Sequence, residues 1–233
     1  MFLVGLSGGI ATGKSLASAI FQEHGVPVVD ADLISREVVL PGKPAWRKLK
    51  NVFGPNFFDP ETGELLRSKL GEVVFSDPKK RRLLNSITHP YIRKCIFKNV
   101  LWYLIGGHQF VVLDLPLLFE SKTDRFMQIT VVITCDKDTQ LSRLQARDGF
   151  TLEEANSRLE SQMDLSVKIS KADYVVDNGG TKEHTRKQVE SAIKELKALH
   201  YHWIIRGVLL VIIGVEVLLL TTGLHKLAIL TFH

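Results

Sequence analysis

Phe2-Leu3-Val4-Gly5-Leu6-Ser7-Gly8-Gly9-Ile10-Ala11-Thr12-Gly13-Lys14-Ser15 decides how this chain is read. An apolar run suited to a buried strand passes without a break into G-x-x-x-x-G-K-[ST], matched at every specified position from Gly8 to Ser15. Leu16 to His24 then reads as a helix, and Gly25 suits the left-handed turn that closes one. Strand, glycine loop and helix in that order form the context in which this motif holds a nucleoside triphosphate. Gly8 and Gly13 let the backbone take shapes that a Cβ obstructs, so successive N–H groups along Gly9, Ile10, Ala11 and Thr12 can turn toward phosphate oxygens. The N-terminus of the following helix adds partial positive charge. Lys14 can set its ammonium between the β- and γ-phosphates, and the Ser15 hydroxyl can ligate Mg²⁺. The loop does not say what receives the phosphate.

Working outward, Val26 to Asp32 reads as a second short strand with Asp30 and Asp32 at its carboxyl end, the edge where open α/β sheets bind ligands. Either aspartate could instead cap the helix that starts near Leu33, and one pair can serve both purposes. Ala45–Phe53, Leu65–Phe75, Pro78–Thr88 and Tyr91–Ile105 read as helices, with Asp77 as an N-cap and His89-Pro90 as an interruption. They make a helical insertion, about 33–105, of the kind that covers an acceptor substrate in kinase folds. Gln109 to Asp114 is a third buried strand ending in a carboxylate. Asp114 fits a residue holding Mg²⁺ or its water shell, although many strands end in Asp simply as a polar terminus. Ile129–Asp136 and Ala172–Asn178 are the fourth and fifth strands. Between them Arg143 and Arg147 stand four apart on one helix face, and with Arg158 they bracket a short polar segment, Asp148 to Glu153, suited to a lid at about 148–165. The five alternations predict an α/β fold with a parallel, doubly wound sheet.

Composition narrows the partners. The chain has 233 residues and a net charge of +5, with only Cys95 and Cys135 as thiols, which excludes a disulfide scaffold and a four-thiolate zinc site and suits a reducing compartment. Lys79-Lys80-Arg81-Arg82 is the one tight basic cluster, and it reads as a solvated helical face; no nucleic-acid partner is expected. Phe2–Leu6 is too short for a signal sequence, so secretion is not expected. No protein partner is predictable.

In order along the chain, Ser7–Ser15, Val29–Asp32, Ile87–Pro90, Leu113–Glu120, Gln140–Arg147, Arg158–Gln162 and Ala172–Asn178 resemble the motifs of the dephospho-CoA kinase family, a group of P-loop NTPases. The likeness runs from Phe2 to about Leu199, marking residues 1–200 as the kinase domain. It implies transfer of the ATP γ-phosphoryl group to the ribose 3′-hydroxyl of dephospho-CoA. It also implies that Asp32 accepts or orients the hydroxyl proton, and that Lys14, Arg143 and Arg147 neutralise the transferring group. Asn178 and Gly179 are expected near the adenine, and His89, Leu117 and Glu120 on the acceptor side. The alternatives are a kinase for another nucleotide-like or small acceptor, and a nucleotide-binding membrane scaffold without catalysis.

The likeness stops before 201–233. Mean hydropathy of the whole chain is +0.08 despite 24% charged residues, and Gly207–Leu224 accounts for it: eighteen residues with Glu216 as their only charge. Such a run is long enough to cross a bilayer core. Tyr201 and Trp203 suit the interface and Arg206 can snorkel towards it. A lone charge near mid-span costs roughly 2.5–3.5 kcal/mol, so a hairpin or interfacial helix, and a helix packed on protein, are rival readings. The run lacks a polar face, which favours a C-terminal hydrophobic helix spanning a membrane with the kinase facing the cytosol; the mitochondrial outer membrane and endoplasmic reticulum both fit.

Overall fold

Phe2–Gly8 forms β1 at the centre of the sheet, which is why its residues are almost continuously apolar and buried. The computed structural model describes residues 1–199, so the apolar run at 207–224 and every expectation attached to it lie outside the described residues. The other strands are β2 (Val28–Asp30), β3 (Phe110–Asp114), β4 (Ile129–Thr134) and β5 (Tyr174–Asp177). All pair in parallel, in the order β2-β3-β1-β4-β5. The expected parallel α/β sheet is present.

The helices are α1 (Lys14–Glu23), α2 (Ala31–Glu37), α3 (Pro44–Phe53), α4 (Arg67–Ser76), α5 (Pro78–Ile105), α6 (Lys137–Asp148), α7 (Leu152–Glu160), α8 (Leu165–Ser170) and α9 (Lys182–Ala198). Phe2, Val4 and Leu6 meet Ile20 and Phe21 of α1 and Ile193 of α9 in one core. On the opposite face Val111 and Leu113 meet Ile92, Ile96 and Val100 of α5. Alternation of side chains along the strands sends neighbours to these two faces, and helices cover both. Register sets Asp114 beside Leu6 on one side and Asp30 on the other. The carboxyl ends of β1, β2 and β3 therefore converge.

Helix α5 corrects one expectation. His89-Pro90 does not divide it; Pro78–Ile105 is one helix with Pro90 inside. Proline removes a helix hydrogen bond and crowds the preceding turn, but Pro90 and Ser86, whose carbonyl is freed, lie on the exposed side. Leu84, Ile87 and Tyr91 pack against Leu49 and Phe58, while Ile92 and Ile96 pack against the sheet. Tertiary contacts on both flanks carry the helix through. Asp77 caps it as expected, accepting from the N–H groups of Lys79 and Lys80.

Candidate active site

The loop after β1 turns through two left-handed residues, Ala11 (φ 59°) and Gly13 (φ 87°). Glycine is required at the second on two counts. An alanine there would be strained by φ, and its Cβ would collide with Nδ2 of Asn178. Gln140 donates to the Ile10 carbonyl at 2.8 Å, and Gln162 accepts from the Ile10 N–H at 3.2 Å. Gln140 of α6 and Gln162 of the lid segment thus hold the loop from either side of α7. The first-turn N–H groups of α1, those of Lys14 and Ser15, have no acceptor within the helix. We expect Gly13→Ala to cost about 1–3 kcal/mol of stability, read as a lowered midpoint in urea unfolding, with nucleotide affinity falling alongside.

Lys14 is ion-paired with Asp114, whose carboxylate is almost fully buried, and Ser18 donates to the other carboxylate oxygen at 2.5 Å. Ser18 holds Asp114 from the next turn of α1. Ser15, predicted to ligate metal, is exposed and lines the cavity beside Lys14.

The two aspartates at the end of β2 divide their labour. Asp30 is the N-cap of α2, accepting from the N–H groups of Asp32 at 2.8 Å and Leu33 at 2.9 Å. Asp32, in the first turn of the helix, takes no part in the cap with its carboxylate and is exposed. Desolvation by the surrounding protein raises its pKa above the ordinary carboxylate range. The nearby Lys14 ammonium pulls it down, while Asp30 and Asp114 push it up.

Arg143 reaches across the loop. It donates to the Asn178 carbonyl at 2.8 Å and to the Thr12 carbonyl at 3.4 Å. The Asn178 side chain is buried and fully engaged, donating to Thr12 at 2.7 Å and accepting from Thr185 at 2.8 Å. It braces the back of the loop. Gly179 follows it in the turn after β5, its N–H donating to the Asp177 carboxylate at 2.8 Å. Arg147, one turn along from Arg143, pairs with Asp148 at 2.8 Å instead. Both arginines line a cavity of about 530 Å³ with Gly9, Gly13, Lys14 and Ser15. Helix α7, closed at its start by a capping box between Thr151 and Glu154, stands after α6 as the lid segment. A second cavity of about 730 Å³ separates it from Phe75 of α4.

The acceptor-side predictions disperse. His89 lines a cavity of about 280 Å³ with Ser35, Arg67 and Asn85. Leu117 is 52% exposed in the turn after β3. Glu120 turns inward to Lys168, which is fully buried and ion-paired to it at 2.7 Å; the same ammonium donates to the Gly8 carbonyl at 3.3 Å. Oε2 of Glu120 is buried without a hydrogen-bond partner among the described residues.

Lys168 and Ser18 carry no motif that signals a site role in the sequence, and Gln140 and Gln162 stand at motif ends with no role assigned there. The one signal for Lys168 is its place between Leu165 and Ala172 on the inward side of a short helix, where an apolar residue belongs. Removing one partner of a buried ion pair strands the other charge. Lys168→Met should therefore cost about 3–5 kcal/mol, and Lys168→Met/Glu120→Gln should recover part of it; thermal unfolding of both variants checks this.

A parallel sheet with a phosphate loop after its central strand, and carboxylates at the ends of the two strands lying in succession to one side of it, defines a P-loop kinase. The comparisons agree. The family model described as dephospho-CoA kinase matches residues 2–183. A zebrafish (Danio rerio) dephospho-CoA kinase domain-containing protein is 47% identical over 89% of this chain and 91% of its own length. A Bacillus anthracis dephospho-CoA kinase is 46% identical over 83% of this chain and 96% of its own. The solved dephospho-CoA kinase of Campylobacter jejuni superposes with a TM-score of 0.64 at 28% identity, covering 83% of this chain and 96% of that one. The chain belongs to the dephospho-CoA kinase family, ATP-dependent enzymes that phosphorylate dephospho-CoA in coenzyme A biosynthesis.

Proposed function

We propose that this cleft transfers the γ-phosphoryl group of ATP to the ribose 3′-hydroxyl of dephospho-CoA, giving coenzyme A and ADP. The observation that carries the mechanism is the freedom of Asp32. With Asp30 acting as the cap, a carboxylate of raised pKa stands beside Lys14 and Asp114 at the convergent strand ends. It accepts the hydroxyl proton and orients the oxygen for attack on the γ-phosphorus. ATP lies with its phosphates on the loop from Gly8 to Ser15 and draws Lys14 from Asp114. Arg143 and Arg147 stand at the edge of that cavity, where they offset charge on the transferring group. Its adenine end lies towards Asn178 and Gly179. The acceptor lies across α2 and the turn after β3, with His89, Leu117 and Glu120 bordering its side of the molecule. No covalent intermediate is needed; positioning and electrostatics suffice.

The donor set fits Mg²⁺. The ion usually takes one or two protein oxygens and completes its shell with water and phosphate, so the lack of a three-residue acidic or imidazole cluster among the described residues is no obstacle. The Ser15 hydroxyl and Asp114 would hold it, and it would offset negative charge on the β- and γ-phosphates. A coupled ADP-release assay on the full chain tests the whole reading: turnover should require dephospho-CoA, and turnover with other nucleosides in its place would overturn the acceptor.

The division into a kinase unit of about 1–200 and an apolar tail of 201–233 belongs to the same proposal. The tail's composition supports a membrane anchor through 207–224, with the kinase in the cytosol and the mitochondrial outer membrane or endoplasmic reticulum as its site. Among the described residues, no helix is long and apolar enough to cross a membrane. Carbonate extraction of the full chain should leave it in the pellet; release to the supernatant would defeat the anchor.

A further inference from the structure

Helix α5 has two apolar stripes, and only one is accounted for. Ile92, Ile96, Val100, Tyr103 and Leu104 face the sheet. On the other side Lys94, Phe97, Lys98, Leu101, Trp102 and Ile105 recur at the spacing of a single helix face. All six are exposed, with Phe97, Trp102 and Ile105 at 68%, 72% and 73%. An isolated exposed apolar residue needs no explanation, but four on one face do. The charges are as one-sided as the apolar groups. Across its 28 residues α5 carries Lys79 to Arg82, Arg93, Lys94 and Lys98, and no acid at all.

We infer that the outer face of the C-terminal half of α5 seats on an anionic lipid surface. Aromatic and aliphatic groups interleaved with lysine are what an interfacial helix presents, the apolar groups entering the headgroup boundary and the lysines meeting anionic lipid. The path of the chain supports the same occupant. Gln109, four residues past the end of α5, donates to the carbonyls of Lys197 and Leu199 at 2.8 and 3.0 Å. Leu199, packed in the core on the α1–α9 face, is thus tied to the short link between α5 and β3, and eight residues on, within a reach of about 27 Å, begins the apolar run at Gly207. This edge carries the amino end of β3, whereas the phosphate loop and Asp32 lie at the carboxyl ends of the strands. A membrane on this side leaves the cleft open to solution. The inference rests on the membrane reading of 207–224 and adds an orientation to it.

Amine labelling of the full chain tests it. The protein is held in detergent, in phosphatidylcholine vesicles, or in phosphatidylcholine–phosphatidylserine vesicles, and is treated with succinic anhydride. Modification of Lys94, Lys98 and the exposed Lys182 is followed by mass spectrometry. With phosphatidylserine present, Lys94 and Lys98 should label roughly fivefold or more slowly than in detergent while Lys182 is unchanged, since a basic residue at an anionic surface gains about that factor in affinity. Added salt should reduce the protection, and Phe97→Ser/Trp102→Ser should remove it without altering kinase activity in detergent. A chain that floats with vesicles yet labels at the detergent rate refutes the orientation alone. A chain that floats with no vesicles refutes the anchor as well. Protection that grows with protein concentration in detergent assigns the face to a second copy and overturns the lipid assignment.

Discussion

Asp32→Asn lowers turnover with dephospho-CoA by roughly 10²–10⁴-fold, the range of a positioned general base, and leaves ATP affinity nearly unchanged. Amide and carboxylate have the same shape, and the cap of α2 is made by Asp30, so the helix is untouched. Equal loss of ATP binding and turnover would remove Asp32 from the proton path. The pH profile supplies a second arm. Desolvation raises the Asp32 pKa, Lys14 opposes that, and the carboxylates of Asp30 and Asp114 reinforce it. As pH falls through the raised value, Asp32 takes up a proton and can no longer accept one from the hydroxyl. The acid limb of kcat/KM should thus lie above the ordinary carboxylate range. Asp32→Asn should abolish that limb, and a limb that persists belongs to another group.

Much of this was legible in the sequence because the loop motif, the strand runs and the crossovers are local patterns. Gly8 to Ser15 and the strands ending at Asp30 and Asp114 needed only neighbours in the chain. Which of Asp30 and Asp32 caps the helix did not follow, since each is followed by helix-compatible residues and the choice turns on one residue's backbone angle. Pro90 misled for a related reason. Its local penalty was visible, while the packing of Ile87 and Tyr91 on one core and Ile92 on another was not. Lys168 was hidden more deeply. A lysine reads as surface until the fold sets Glu120, 48 positions earlier in sequence, 2.7 Å from its ammonium. The grip of Gln140 and Gln162 on Ile10 is of the same kind. Contacts between residues far apart in sequence build the second layer of this site.

Lys14→Met should reduce turnover by about 10²–10³-fold or more, the cost of losing one preorganised donor from a transition-state charge, and should weaken ATP binding as well. It should also destabilise the protein, which a role confined to phosphate binding would not require. The Asp114 carboxylate is almost fully buried, and Ser18 alone cannot replace the cation that Lys14 supplies. Lys14→Met/Asp114→Asn separates the two effects. The double variant has no stranded charge, so it should unfold at a higher temperature than Lys14→Met while remaining as inactive, lacking both the phosphate cation and the acidic partner at the strand end. Recovery of stability together with activity would show that Lys14 acts only by holding Asp114. Recovery of neither would show that the lost stability does not come from a stranded Asp114 charge. The expected result, stability regained and catalysis not, assigns Lys14 two successive partners: Asp114 in the free enzyme and the triphosphate in the working one.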